Sequence, residues 1–160
     1  MAQEKISFEQ FFATVDPSKR VFVQELHDYL LDKGCKVSFE EKKSGMLASY
    51  KIGKPPRALL NLLFRKSGML VRIYGEHASM YHDFLQTLPS DMVQSIAEAG
   101  DCGRLLHGTC SPKCSGYDVS IKGERHQKCR YGGFEFLITE ESGPHIRHFV
   151  AYEIAARTAG

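Results

Sequence analysis

The sequence predicts an α+β fold, an antiparallel sheet with helices packed mainly on one face. Three observations carry that expectation. Apolar residues recur at helical spacing near both ends of the chain. Between them, residues 37–74 fall into short apolar runs broken by Gly and Pro, spaced as an antiparallel meander. No linker-like or low-complexity stretch divides the 160 residues, a length usual for one domain. The expected organisation is a single domain over 1–160 with a cysteine-rich segment, 101–130, inside it.

The elements follow in order. Ser7 and Gln10 form a capping-box signature for a short helix over 8–14. Asp16-Pro17 opens a second helix, 17–33, an N-cap followed by proline at the first helical position. Phe22, Val23, Leu26, Tyr29 and Leu30 make its apolar stripe, and Gly34 ends it. The period then changes: Val37 and Phe39 alternate with polar neighbours, and strands are predicted over 46–52, 57–66 and 69–74. Residues 57–66 carry Leu59, Leu60, Leu62, Leu63 and Phe64, the pattern of a central strand covered on both faces. A helix is predicted over 77–88, and another begins at a Ser90 cap and stops at Gly100. Beyond the cysteine-bearing loop, strands are expected at 117–121, 125–130 and 134–139. A last helix starts at Pro144 and buries Ile146, Phe149, Val150 and Ile154. Arg65, Gly68, Ile73, Glu76 and Phe84 recur 65 positions later as Arg130, Gly133, Ile138, Glu141 and Phe149. The echo suggests a duplicated strand-strand-helix unit, although shared supersecondary grammar also produces such matches.

Composition narrows the function classes. A formal net charge of +2 is too mild to imply polyanion binding by itself. No apolar run reaches membrane-spanning length. Glu4, Glu9 and Asp16 interrupt the start where a secretory signal needs apolar residues, so the expected location is cytoplasmic, where thiols stay reduced.

Four of the five cysteines, Cys102, Cys110, Cys114 and Cys129, fall within the 101–130 segment. Their thiolates could hold a structural zinc, since four cysteine ligands leave no open position for substrate water. The spacing departs from paired Cys-x-x-Cys knuckles, and His107 or His126 could replace a cysteine. Two other readings stay open. The cysteines could be reduced thiols packed as small hydrophobes, or Cys110 and Cys114 could be a redox pair with Arg104 and Lys113 lowering a thiol pKa. Cys35, at a helix end, reads as inert.

Other candidates are weaker. His145 and His148 share a helical side at its solvent margin, and His77 and His82 diverge on a helix. HExxH, GxSxG and GxxxxGK[ST] are absent. The 51–72 segment is basic with Tyr50, Phe64 and Tyr74 interleaved, which could stack nucleobases, but alternation sends the charges to different faces and argues against nucleic acid. Arg72, Tyr74 and His77, where a strand runs into a helix, could line a shallow ligand pocket.

Phe22-Val23-Gln24-Glu25-Leu26-His27-Asp28-Tyr29-Leu30, the run from Phe64 to Gly75, and the block from Cys110 to Cys129 resemble a family of small soluble bacterial proteins typical of clostridia-like organisms. That family carries no activity to transfer; the resemblance implies a stand-alone domain. The strand-helix-strand-strand order is also similar to the effector-binding modules of some bacterial regulators, an analogy of architecture alone. The functional expectation is a non-enzymatic ligand-sensing or interaction domain with a structural zinc, its partner a small molecule or protein. The alternatives are a redox protein using Cys110 and Cys114 or a weak nucleic-acid binder through 51–72.

Overall fold

The computed structural model describes residues 6–43, 45–66, 68–75, 77–99, 117–128 and 133–158. Helix α1 (Phe8–Ala13) starts at the predicted capping box: Ser7 Oγ accepts from the Gln10 amide, and Gln10 Oε1 accepts from the Ser7 amide. The Asp16-Pro17 start opens as a 3-10 turn, Pro17–Lys19, with Asp16 accepting from Ser18, and then continues as α2 (Arg20–Asp32). Gly34, at φ 93°, takes the chain out of the helix.

Strands β1 (Lys36–Lys42), β2 (Gly45–Ile52), β3 (Arg57–Arg65) and β4 (Gly68–Ile73) form the meander, and β7 (Phe134–Leu137) completes the sheet. Its order is β1-β2-β3-β4-β7, and every pair is antiparallel. The register aligns Phe39, Ala48, Leu62, Val71 and Phe136 in one row across the sheet. Val37, Tyr50, Leu60, Ile73 and Phe134 form the next row. Residues directly opposite share a face, so both rows belong to the face that the helices cover. Phe11 of α1 packs on Phe39 and Phe64. Phe149 of α5 (Ser142–Thr158) packs on Phe134 and Phe136. Central β3 is buried on both sides: Leu60 and Leu62 face the helices, while Asn61 and Leu63 lie on the opposite face.

Three expectations need correction. The predicted helix over 77–88 is a 3-10 turn, Ala78–Tyr81, followed by the one-turn α3 (His82–Leu85). Ser90 is the first residue of α4 (Ser90–Glu98) rather than its cap, because Pro89 occupies the extended N-cap position. Helix α5 begins before Pro144, where Thr139 and Ser142 exchange reciprocal side chain–backbone hydrogen bonds. The 65-residue echo does not extend to pairing. β3 and β4 are neighbours, whereas β6 (Glu124–Lys128) pairs with β5 (Tyr117–Ile121) in a separate two-stranded sheet.

Candidate functional site

Helices α2 and α5 lie side by side on the sheet, and a groove of about 540 Å³ runs between their N-terminal halves. That volume falls within the range of small-molecule sites. One of its walls is the flank of the α2 apolar stripe. Val23, Leu26 and Leu30 are buried in the core, while Phe22 and Tyr29, on the flank of the stripe, are only half-buried and line the groove. Val21 beside them is 70% exposed. The facing wall is α5, with Gly143 and Ala151. A Cβ on Gly143 would stand 3.3 Å from the Phe22 ring, so glycine lets the helices approach at this end. Small residues on one wall and aromatic rings on the other leave a slot with apolar sides.

The rim is charged. Arg147 Nη1 donates to Glu25 Oε2 across the groove at 3.1 Å, neutralising both. Glu140 lies two residues before the start of α5, near the end where the helix dipole favours a negative charge. Lys19 also stands on the rim, close enough to Asp16 for its charge to help lower that carboxyl's pKa. His148 closes one side, its ring edge-on to Phe84.

Behind α5 lies a second polar constellation. Glu153 is fully buried, and four donors surround its carboxylate. Oε1 accepts from the His77 amide at 3.0 Å and from Tyr81 Oη at 2.6 Å. Oε2 accepts from His77 Nδ1 at 2.9 Å and from Arg157 Nε at 2.8 Å. Arg157 also donates to the Tyr74 carbonyl at 2.8 Å. Sequence reasoning missed Glu153, although a signal was present. Position 153 continues the 146, 149, 150, 154 stripe at helical spacing, and Arg157 follows one turn later.

The predicted trio of Arg72, Tyr74 and His77 is divided between the two sides of the sheet. Arg72 donates through Nε and Nη2 to Glu135 Oε1, its cross-strand neighbour. The Tyr74 hydroxyl accepts from Asn61 Nδ2. Both side chains belong to the face away from the helices. His77, past the strand end, turns to α5. Burial pushes the Glu135 pKa up, but hydrogen bonding to Arg72 and the charges of Arg72 and Arg65 together outweigh it and hold the carboxyl below its ordinary value.

The other candidates are placed as follows. Cys102, Cys110, Cys114, Cys129 and His107 lie outside the described residues. Among the described residues, no group of three His, Cys, Asp or Glu side chains could hold a metal. His126 is buried on β6. Cys35 belongs to the core, and burial pushes its thiol up to about 11, which keeps it protonated and unreactive. Tyr50 is unavailable for base stacking because it sits on the helix-covered face, fully buried, with its hydroxyl 2.7 Å from His27 Nδ1. Phe64 packs on Phe11 on the same face. No described helix is long and apolar enough to cross a membrane. Compared with protein-family models, curated proteins and solved structures, the chain matches none of them.

Proposed function

We propose that the chain is a ligand-binding domain whose α2–α5 groove takes a small amphipathic organic anion. The observation that carries this reading is a ligand-sized slot with apolar walls and a lysine, Lys19, at its rim. The walls supply burial at roughly 25 cal/mol per Å² of apolar surface covered, and Lys19 orients the acidic end. The Arg147–Glu25 pair is already satisfied, so its desolvation costs less than that of two separate charges.

The probe for a test is 1-anilinonaphthalene-8-sulfonate, an aromatic body with one sulfonate. Saturable fluorescence at one site per chain is expected. Ala151→Trp, which fills the slot, should abolish it. Lys19→Gln should weaken it a few-fold, about 0.5–1 kcal/mol for one rim charge. Unchanged circular dichroism and melting temperature in both variants would separate site loss from unfolding. Equal binding by Ala151→Trp overturns the reading.

We also propose a structural zinc held by Cys102, Cys110, Cys114 and Cys129. Its support is the sequence clustering of these four thiols, together with the assignment of Cys35 to the core. About one zinc per purified chain is expected, with thiols protected until chelation. Cys129→Ser should then lower the melting temperature far more than loss of a packed thiol, which costs on the order of 1 kcal/mol. Metal-free protein with equal melts for variant and parent rules it out.

A further inference from the structure

We infer that His77 is an acceptor for a phosphoryl group, with Nε2 as the nucleophile and Glu153 as its positioning residue. The inference starts from the asymmetry of the ring's surroundings. Nδ1 lies 2.9 Å from Glu153 Oε2, and a carboxylate can only accept there. The neutral ring therefore keeps its proton on Nδ1 and its lone pair on Nε2. Glu153 is fully buried, while the His77 side chain is 34% exposed, so the ring spans from interior to water with its nucleophilic edge away from the carboxylate.

Glu153 itself cannot rotate away. Tyr81 Oη and the His77 amide hold Oε1, and Arg157 Nε holds Oε2 beside the imidazole. A base oriented by a fixed third group is the arrangement that activates side-chain nucleophiles. Here the imidazole is itself the nucleophile, and the carboxylate stabilises the cation that forms on it.

The co-reactant is a phosphoramidate, a donor with a labile P–N bond. The Nε2 lone pair attacks phosphorus as the P–N bond of the nitrogen-protonated donor breaks, and neutral ammonia leaves with that bond's electron pair. The ring gains one positive charge and keeps its Nδ1 proton in the hydrogen bond to Glu153. No atom changes oxidation state. The transferred group remains a dianion in water, so it needs no apolar pocket; an acyl group would need one together with oxyanion donors.

The test treats the whole protein with potassium phosphoramidate at neutral pH and maps the modified histidines by mass spectrometry under alkaline conditions. His82 and His148 are internal controls, since both are exposed; the His82 side chain is 50% exposed. Despite its lower exposure, His77 should react about tenfold faster than either, less than the roughly 10²–10⁴-fold of general acid–base catalysis because the Nδ1 proton is not transferred. Modification of His77 no faster than His82 and His148 overturns the inference. In Glu153→Gln the advantage should disappear; a folded variant with an unchanged His77 rate also overturns it. Should that variant fail to fold, nitrogen-15 NMR of the parent protein decides. A ring carrying its neutral-state proton on Nδ1 is expected, and a proton on Nε2 rejects the assignment. His77 and Glu153, on which the outcome turns, do not line the α2–α5 groove, so the two proposals fail separately.

Discussion

A carboxylate shut off from water persists only where donors replace the solvent, and Glu153 has two nitrogen donors from His77, one from Arg157 and the Tyr81 hydroxyl. Removing it by Glu153→Ala would take from the Arg157 guanidinium, whose side chain is 9% exposed, the carboxylate bonded to its Nε. The expected loss is about 3–5 kcal/mol, read from urea unfolding. Double substitution with Arg157→Met should recover part of it, because the buried charge that loses this carboxylate goes too. His27 is a different buried polar residue. Its ring stacks on Phe8 at 3.8 Å and meets the Tyr50 hydroxyl. Burial holds its pKa below the usual 6.5, against the opposing charges of Asp28 and Glu9. The unfolded chain therefore binds this proton more readily than the folded one. The contribution is intact above about pH 6.5 and is lost as pH falls through that value. Melting temperature should decline from about pH 7 to about pH 5, and the decline should be shallower in His27→Gln. An unchanged slope in the variant would assign the transition to other groups.

At the level of elements, legibility followed the range of the interactions that set each boundary. Strands β2, β3 and β4 were readable because alternation and the Gly and Pro breaks are local. Helix α2 and the buried side of α5 were readable because one stripe of apolar residues defines each. The 77–88 segment was not. Tyr81, Phe84, Leu85 and Leu88 recur at helical spacing, yet two remote partners interrupt them. Glu153 captures the amide and ring of His77. The β5–β6 hairpin engages Gln86, whose Nε2 donates to the Ser120 carbonyl and whose Oε1 accepts from the Lys122 amide. Long-range hydrogen bonds there override local propensity. The β4–β7 pairing carries a sharper local demand. Gly133 has φ 66°, and a Cβ there would stand 2.9 Å from Arg72 Cγ and 3.1 Å from the Ile73 carbonyl oxygen. Arg72 could yield slightly, although Glu135 fastens it; the strand carbonyl cannot. Gly133→Ala should destabilise by about 1–3 kcal/mol. A melting temperature matching the parent's would show that the turn can relax.

Across the whole molecule, the groove was invisible in the sequence because its walls lie more than a hundred positions apart, Phe22 on α2 and Ala151 on α5. Spacing told which side of each helix is apolar, but the partial burial of Phe22 and Tyr29 depends on how two helices share one sheet. Glu153 was concealed for a related reason: its partners come from the β4 exit and from its own helix, and only the fold unites them. The sheet's outer limit at β1 has a consequence for the molecule among its own copies. Lys36, Glu40, Glu41 and Lys42 project from a strand whose far side pairs with no other described strand, and Lys42 is tied to Glu40 at 2.8 Å. An incoming backbone would have to strip water from that row of ions before gaining any amide bonds. Chains crowded together should therefore find edge-to-edge stacking into fibrils closed to them from this side, and the ions on β1 act as a guard against self-association.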